Sequence, residues 1–209
     1  MTSPTLLAPA HADALALAAP VLATIRPDQL DGPTPCAGWT LRRLLEHLIG
    51  QQYGFAAAAR GRGADPGVWA DRSFATGPGA ALAALAAFAD SGRELVEVFA
   101  AAEAAGGTLE LPEILPGHAF PAAQAIAFQL LDTLVHAWDV AVAVGVPFTV
   151  PAEQAALLLR IAEQVPADPD ARRPGRAFAP VRAGAEGAAP FERALLLLGR
   201  DLEWRPSAV

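Results

Sequence analysis

Apolar positions fall at helical intervals in several stretches of this chain, and one of them departs from the usual amphipathic pattern. Between Phe120 and Gly145 the residues Ile126, Phe128, Leu130, Leu131, Leu134, Val135, Trp138, Val140 and Val142 surround the axis almost completely. At 100° per residue the polar exceptions, Gln129, Asp132, His136 and Asp139, gather into one stripe roughly 80° wide. A surface helix carries a broad polar face. A narrow polar line on an apolar rod instead predicts a helix at the centre of a bundle, its line turned to a solvent crack or to something bound inside. Pro121 suits the first turn of that helix, and Gly145 suits the left-handed residue past its end.

The remaining pattern supplies the partners. A first helix is expected from about Pro9 to Ile25, with Leu15, Leu17, Val21, Leu22 and Ile25 apolar, Pro20 bending it and Pro27 ending it. After the connection RPDQLDGPTPCAGW, Thr40 is a good N-cap and Trp39 can staple onto Leu44. The second helix, about Leu41 to Ala59, buries Leu41, Leu44, Leu45, Leu48, Ile49 and Phe55, with His47 at the flank of that face. A long loop, Arg60 to Pro78, precedes a third helix from about Gly79 to Ala105, and GGTLELPEILPGHAF leads into the central helix. A fifth helix starts near Pro151 and ends before Pro166. Residues Ala167 to Pro190 read as loop with one extended piece at Phe178–Arg182, and a short helix from Phe191 to about Gly199 closes the chain. No strong strand alternation is present. The reading is an all-α single domain over residues 1–209, a bundle over about 9–150 with a C-terminal extension over about 151–209.

Composition narrows the function. The chain of 209 residues is 53% hydrophobic yet only 7% aromatic, because alanine carries much of the apolar count, which favours helix. A net charge of −7 without any basic run argues against nucleic-acid or anionic-membrane partners. A single cysteine excludes an internal disulfide. The first charged residue is Asp13, so no basic n-region of a signal peptide is seen, and polar residues interrupt every apolar run before membrane-spanning length; a soluble, cytoplasmic protein is expected.

The constellation that carries chemistry is His47 with Asp132 and His136. Residues four apart on a helix lie one above the other, so Asp132 and His136 can grip one ion. Two imidazoles and a carboxylate from two helices match a three-ligand site with a position open for water or substrate, and a solvated polar stripe is the plainer alternative. His118, in the loop before the central helix, can reach the same end of the bundle as a substrate-facing group. Asp139 can orient a ligand or pair with an arginine from a neighbouring helix. Cys36 precedes the second helix but lies on the order of 10 Å along the axis from His47, so it reads as a structural cysteine outside the metal shell. His11, with no partner in sight, reads as exposed. No phosphate-binding glycine loop, no G-x-S-x-G and no paired carboxylates stand out.

At two of these stretches the chain resembles a known family. PTPCAGWTLRRLLEHLIG, Pro33 to Gly50, and DTLVHAWDVAVAVG, Asp132 to Gly145, are similar to the second and central helices of the mycothiol-dependent maleylpyruvate isomerase N-terminal-domain family. Gly117 and the closing LLLLGRDLEW also resemble a branch known only as metal-binding proteins. The resemblance implies a DinB-like four-helix bundle with an up-down-down-up path, long crossover loops and here a short C-terminal helical extension. It implies His47, Asp132 and His136 as metal ligands, zinc as the usual divalent metal, and mycothiol as a thiol co-substrate. A metal-dependent thiol transferase or isomerase acting on a small molecule is the activity it suggests. A metal-dependent hydrolase on the same ligands and a non-enzymatic metal- or small-molecule-binding module are the alternatives. His118 and Asp139 are the candidates for proton transfer or ligand support, and a homodimer is the assembly considered. Two features set this chain apart: the isomerase carries Glu where Asp132 stands, and a larger second domain follows its bundle.

Overall fold

The computed structural model describes residues 6–173 and 177–206. Four long helices form the bundle: α1 (Leu7–Leu22), α2 (Leu41–Ala59), α3 (Ala80–Ala104) and α4 (Ala122–Val144). Two short ones follow, α5 (Ala152–Ala162) and α6 (Pro190–Leu197). The N-terminal half of α2 (Leu41, Leu44, Leu45, Leu48) packs with Ala80, Ala84 and Phe88 at the start of α3 and with Ala137, Val140 and Ala141 at the end of α4. Its C-terminal half (Phe55 to Ala58) packs with Leu95 and Phe99 of α3 and with Ala122, Ala125 and Ile126 of α4. So α2 and α3 run parallel, and α4 runs against both. Ala8 of α1 joins the second cluster and Leu15 to Leu22 the first, which sets α1 alongside α4 in the same direction. The path is up-down-down-up, as expected. By length and the mean hydropathy of its best window, 1.3, α4 would pass for a membrane span, but 72% of that window is buried among its neighbours. It is the core helix.

Local chemistry explains most boundaries. Thr40 caps α2 by accepting a hydrogen bond from the Arg43 backbone N–H at 3.3 Å. Gly145 ends α4 with φ of 77°, a left-handed conformation that costs a glycine nothing. The start of α1 lies at Leu7 rather than Pro9, because its orphan N–H groups are capped from a distance: Leu7 and Ala8 donate to the Glu103 carboxylate of α3 at 2.8 and 2.9 Å. α1 stops at Leu22, three residues short of expectation, and keeps Pro20 inside its last turn. Pro121 does not open α4. It ends a three-residue strand, β2 (Ala119–Pro121), paired antiparallel with β1 (Thr108–Glu110), a small sheet without counterpart in the sequence reading. No strand forms over the described residues Phe178–Arg182.

Candidate functional site

Three side chains meet where α2 and α4 cross. One ligand atom each from His47, Asp132 and His136 lies within 4.8 Å of the other two. His136 Nε2 and Asp132 Oδ1 are 3.3 Å apart. Two ligands of one tetrahedral ion, each at about 2.1 Å, stand roughly 3.4 Å apart, so this pair already has the separation of two ligands of one ion. The two imidazoles face each other edge to plane, 5.7 Å between ring centres. The side chains of His47, Asp132 and His136 remain 21%, 24% and 12% exposed, so one side of the cluster is open to an incoming molecule.

Each imidazole has a carboxylate on its other nitrogen. His136 Nδ1 is 2.8 Å from Asp139 Oδ2, and His47 Nδ1 is 3.3 Å from Asp71 Oδ1. That contact fixes a proton on Nδ1 of His136 and directs Nε2 towards Asp132, where a metal ion would take the place of the second ring proton. Trp39 stacks its edge on His47, ring centres 4.9 Å apart, and limits its rotation. Asp139 is fully buried and gripped by Arg200, which donates from Nη2 to Oδ2 at 2.7 Å and from Nε to Oδ1 at 3.1 Å. The sequence reading of Asp139 as the partner of an arginine describes this contact. The arginine comes from beyond α6.

Charges in the cluster bias one another. Burial would push the Asp132 carboxyl up, but His136 beside it, with His47 and Arg200, outweighs burial and holds it below the ordinary value. Burial would lower His136, but Asp132, Asp139 and Cys36 raise it well above the ordinary imidazole value. Burial likewise opposes ionisation of Asp139, yet Arg200 and His136 bring its carboxyl down to about 2.

Two readings of single residues are corrected. Cys36 is not remote from the cluster. The loop ahead of α2 folds back through a bridge between Pro33 and Thr40. That brings the Cys36 thiol to 3.2 Å from Asp139 Oδ2 and 3.7 Å from His136 Nδ1. Distance along α2 from His47 was the wrong measure, because the thiol approaches from the α4 side. His11 is not exposed. It is fully buried, edge-on to Phe99 with 5.1 Å between ring centres. His118 lies exposed on the loop before β2, its ring 4.6 Å from Phe120, and Ala122 at the foot of α4 is about 15 Å of helix rise from Asp132. Asp71 and Arg200 were not singled out from sequence: one lies in a loop and the other past the last helix, and no periodicity links either to a histidine.

Comparison with known proteins adds to this geometry. The profile of the Mycothiol maleylpyruvate isomerase N-terminal domain family matches residues 10–141. Two uncharacterized proteins from two strains of Mycobacterium tuberculosis are each 35% identical over 196 residues, covering 92% of this chain and 97% of the relative. The crystal structure of the mycothiol-dependent maleylpyruvate isomerase superposes with a TM-score of 0.54 at 15% identity, over 78% of this chain and 73% of that one. A mutant of that isomerase gives the same TM-score at 14% identity.

Proposed function

The chain belongs to the mycothiol maleylpyruvate isomerase N-terminal domain family, and on that premise we propose that it is a divalent-metal-dependent enzyme that transfers or uses a low-molecular-weight thiol of the mycothiol type in the conversion of a small molecule. The observation that carries this reading is the convergence of His47, Asp132 and His136 within 4.8 Å on an accessible face. A donor set of two imidazoles and one carboxylate suits zinc, which also accepts a thiolate as a further partner. The three residues would hold the ion, His136 through Nε2, the nitrogen that faces Asp132. When bound, such an ion supplies Lewis acidity, polarising a carbonyl or lowering the pKa of a coordinated thiol towards neutrality.

The chain's own groups do the rest. Asp139 holds the proton on Nδ1 of His136 and Asp71 does the same for His47, so both rings are oriented before any ligand arrives. Arg200 neutralises the buried Asp139 and keeps it from turning towards the cluster. Asp139 touches no open surface, so its role is positioning rather than proton exchange with substrate. The reducing interior of a cell, where such thiols are kept reduced, is the setting this activity requires.

The test is elemental analysis of the purified chain and of His136→Ala, with thiol-transfer and isomerisation assays before and after chelation. Stoichiometric metal in the parent, its loss in the variant and chelator-sensitive turnover are expected. Equal metal content in parent and variant would remove the site.

A further inference from the structure

Each helix of the bundle sends a stripe of interior side chains towards the axis, and each stripe is interrupted by buried polar groups. On α1 the stripe reads Ala8, His11, Leu15, Ala18 and Leu22; on α2 Gln52 follows Leu41, Leu45 and Leu48. On α3 Ser91 stands between Phe88 and Leu95, and on α4 Gln129 and Thr133 stand between Ile126 and Ala137. All five polar residues are at most 1% exposed. Ser91 Oγ donates to Gln52 Oε1. Next to Ser91, a Cβ on Gly92 would lie 3.6 Å from Gln52 Oε1 and 3.4 Å from Leu15, one turn from His11. Because α2 and α4 are antiparallel, Gln52 beyond His47 and Gln129 before Asp132 fall at one level. The four interruptions therefore lie within about one helical turn of a common level, a polar layer next to Asp132, whose charge acts on His11.

Most of that layer finds no protein partner. Both ring nitrogens of His11, Nε2 of Gln52, both amide atoms of Gln129, Thr133 Oγ1 and Asp132 Oδ2 are buried without a hydrogen bond among the described residues. A dry, unsatisfied polar group costs on the order of 1–3 kcal/mol. Seven such atoms together would rival the whole stability of a domain, about 5–15 kcal/mol. Donors and acceptors gathered from four helices in one enclosed layer are what internal water satisfies, each molecule making about three hydrogen bonds.

We propose that this layer is an internal water site whose ordered waters join His11, Gln52, Gln129 and Thr133 to Asp132 Oδ2 and so hold the Asp132 carboxylate from behind. Oδ1 then faces His136 and Oδ2 faces the water, which leaves one oxygen free for the cluster and fixes the plane of the other. His11 suits a bridging role: burial brings its imidazole down to about 4 against the pull of Asp132, so near neutral pH it offers one donor and one acceptor. Thr133, Gln129 and His11 are thus positioning residues that act through Asp132. The inference rests on the metal-site reading for its consequence, not for the water itself.

The experiment uses the full chain, with zinc ion as the probe. Thr133→Val, Thr133→Ser and Gln129→Met are compared with the parent for denaturant stability and for zinc affinity by chelator competition. The ring-nitrogen shifts of His11 are read by ¹⁵N NMR. Water-bridged groups predict lower stability and a roughly tenfold loss of zinc affinity in Thr133→Val, near-parent behaviour in Thr133→Ser, and hydrogen-bonded shifts at both His11 nitrogens. If the apolar variants are as stable as the parent or more so, the sign expected on removing orphan groups from a dry core, the water layer is overturned. A free-acceptor shift at His11 does the same. Lost stability with unchanged zinc affinity overturns the support of Asp132. A parent that holds no zinc defeats the metal reading alone, because stability and the His11 shifts still decide the layer.

Discussion

His136 divides its two nitrogens between two aspartates, Asp132 at 3.3 Å and Asp139 at 2.8 Å, and that division sets what the residue can do. An Asp139→Asn change removes the anion that favours the Nδ1–H tautomer while keeping the shape. Metal affinity is expected to fall ten- to a hundredfold, read by competition against a chromophoric chelator. A second single-residue consequence belongs to His11. In the unfolded chain its imidazole titrates near 6.5, in the folded protein at about 4. Between those values the unfolded state binds more protons, so stability is full above about 6.5 and is lost as pH falls towards 4, by about 3 kcal/mol in all. Asp132 and Asp139, both lowered from 3.8, act below that window, and His136, raised above 6.5, acts above it. His11→Gln should flatten the stability curve between pH 6.5 and 4 and leave the rest of it in place, as measured by urea unfolding across pH. A slope unchanged in the variant would sink this assignment.

Among the elements, those whose ends are fixed by neighbours in sequence were legible, and those fixed from afar were not. The Thr40 cap and the Gly145 stop can be read from residue type alone. The start of α1 cannot, because the groups that satisfy it belong to Glu103, nearly a hundred residues on. The β1–β2 pair is three residues a side, too short for alternation to register. The same distinction divides the site. His47, Asp132 and His136 stand on regular helices, where spacing gives direction, whereas Asp71 and Cys36 arrive on loops. The loop that carries Asp71 can lie against α2 because of Gly50: a Cβ there would meet Ala70 O at 2.7 Å and Asp71 Cα at 2.9 Å. Gly50→Ala should therefore cost about 1–3 kcal/mol, since backbone rather than a flexible side chain must move. Asp71→Ala, which removes a half-exposed partner and no packing, should stay within about 0.5 kcal/mol of the parent. Thermal denaturation of the two variants separates the fit of the loop from the contact it makes.

In the whole molecule, a buried ion pair ties the C-terminal segment to the bundle beside its apolar packing. The α5–α6 unit covers the outer face of α4 through Leu130, Leu134 and Trp138 packed on Leu158, Ile161 and Leu195. Gly199, at φ of 82°, then turns the chain so that Arg200 enters between α4 and the Cys36 loop. The sequence marks Gly199 as a helix stop, but its next residue looks like any surface arginine; only the folded path reveals a partner 61 positions earlier. Asp139 is wholly buried and Arg200 nearly so, and removing one partner of such a pair strands a charge in the interior. Arg200→Met is therefore expected to cost about 3–5 kcal/mol, most of it the penalty of the uncompensated Asp139 carboxylate. Adding Asp139→Asn to that variant removes the stranded charge and should recover most of the lost stability, so the double variant is more stable than Arg200→Met alone. Metal affinity should not recover with it, because the asparagine no longer fixes His136 as the carboxylate does. Denaturant unfolding and chelator competition on the four members of this cycle decide the point. If the double variant is no more stable than Arg200→Met, the arginine serves packing rather than charge, and the C-terminal segment is not coupled to the histidine through Asp139.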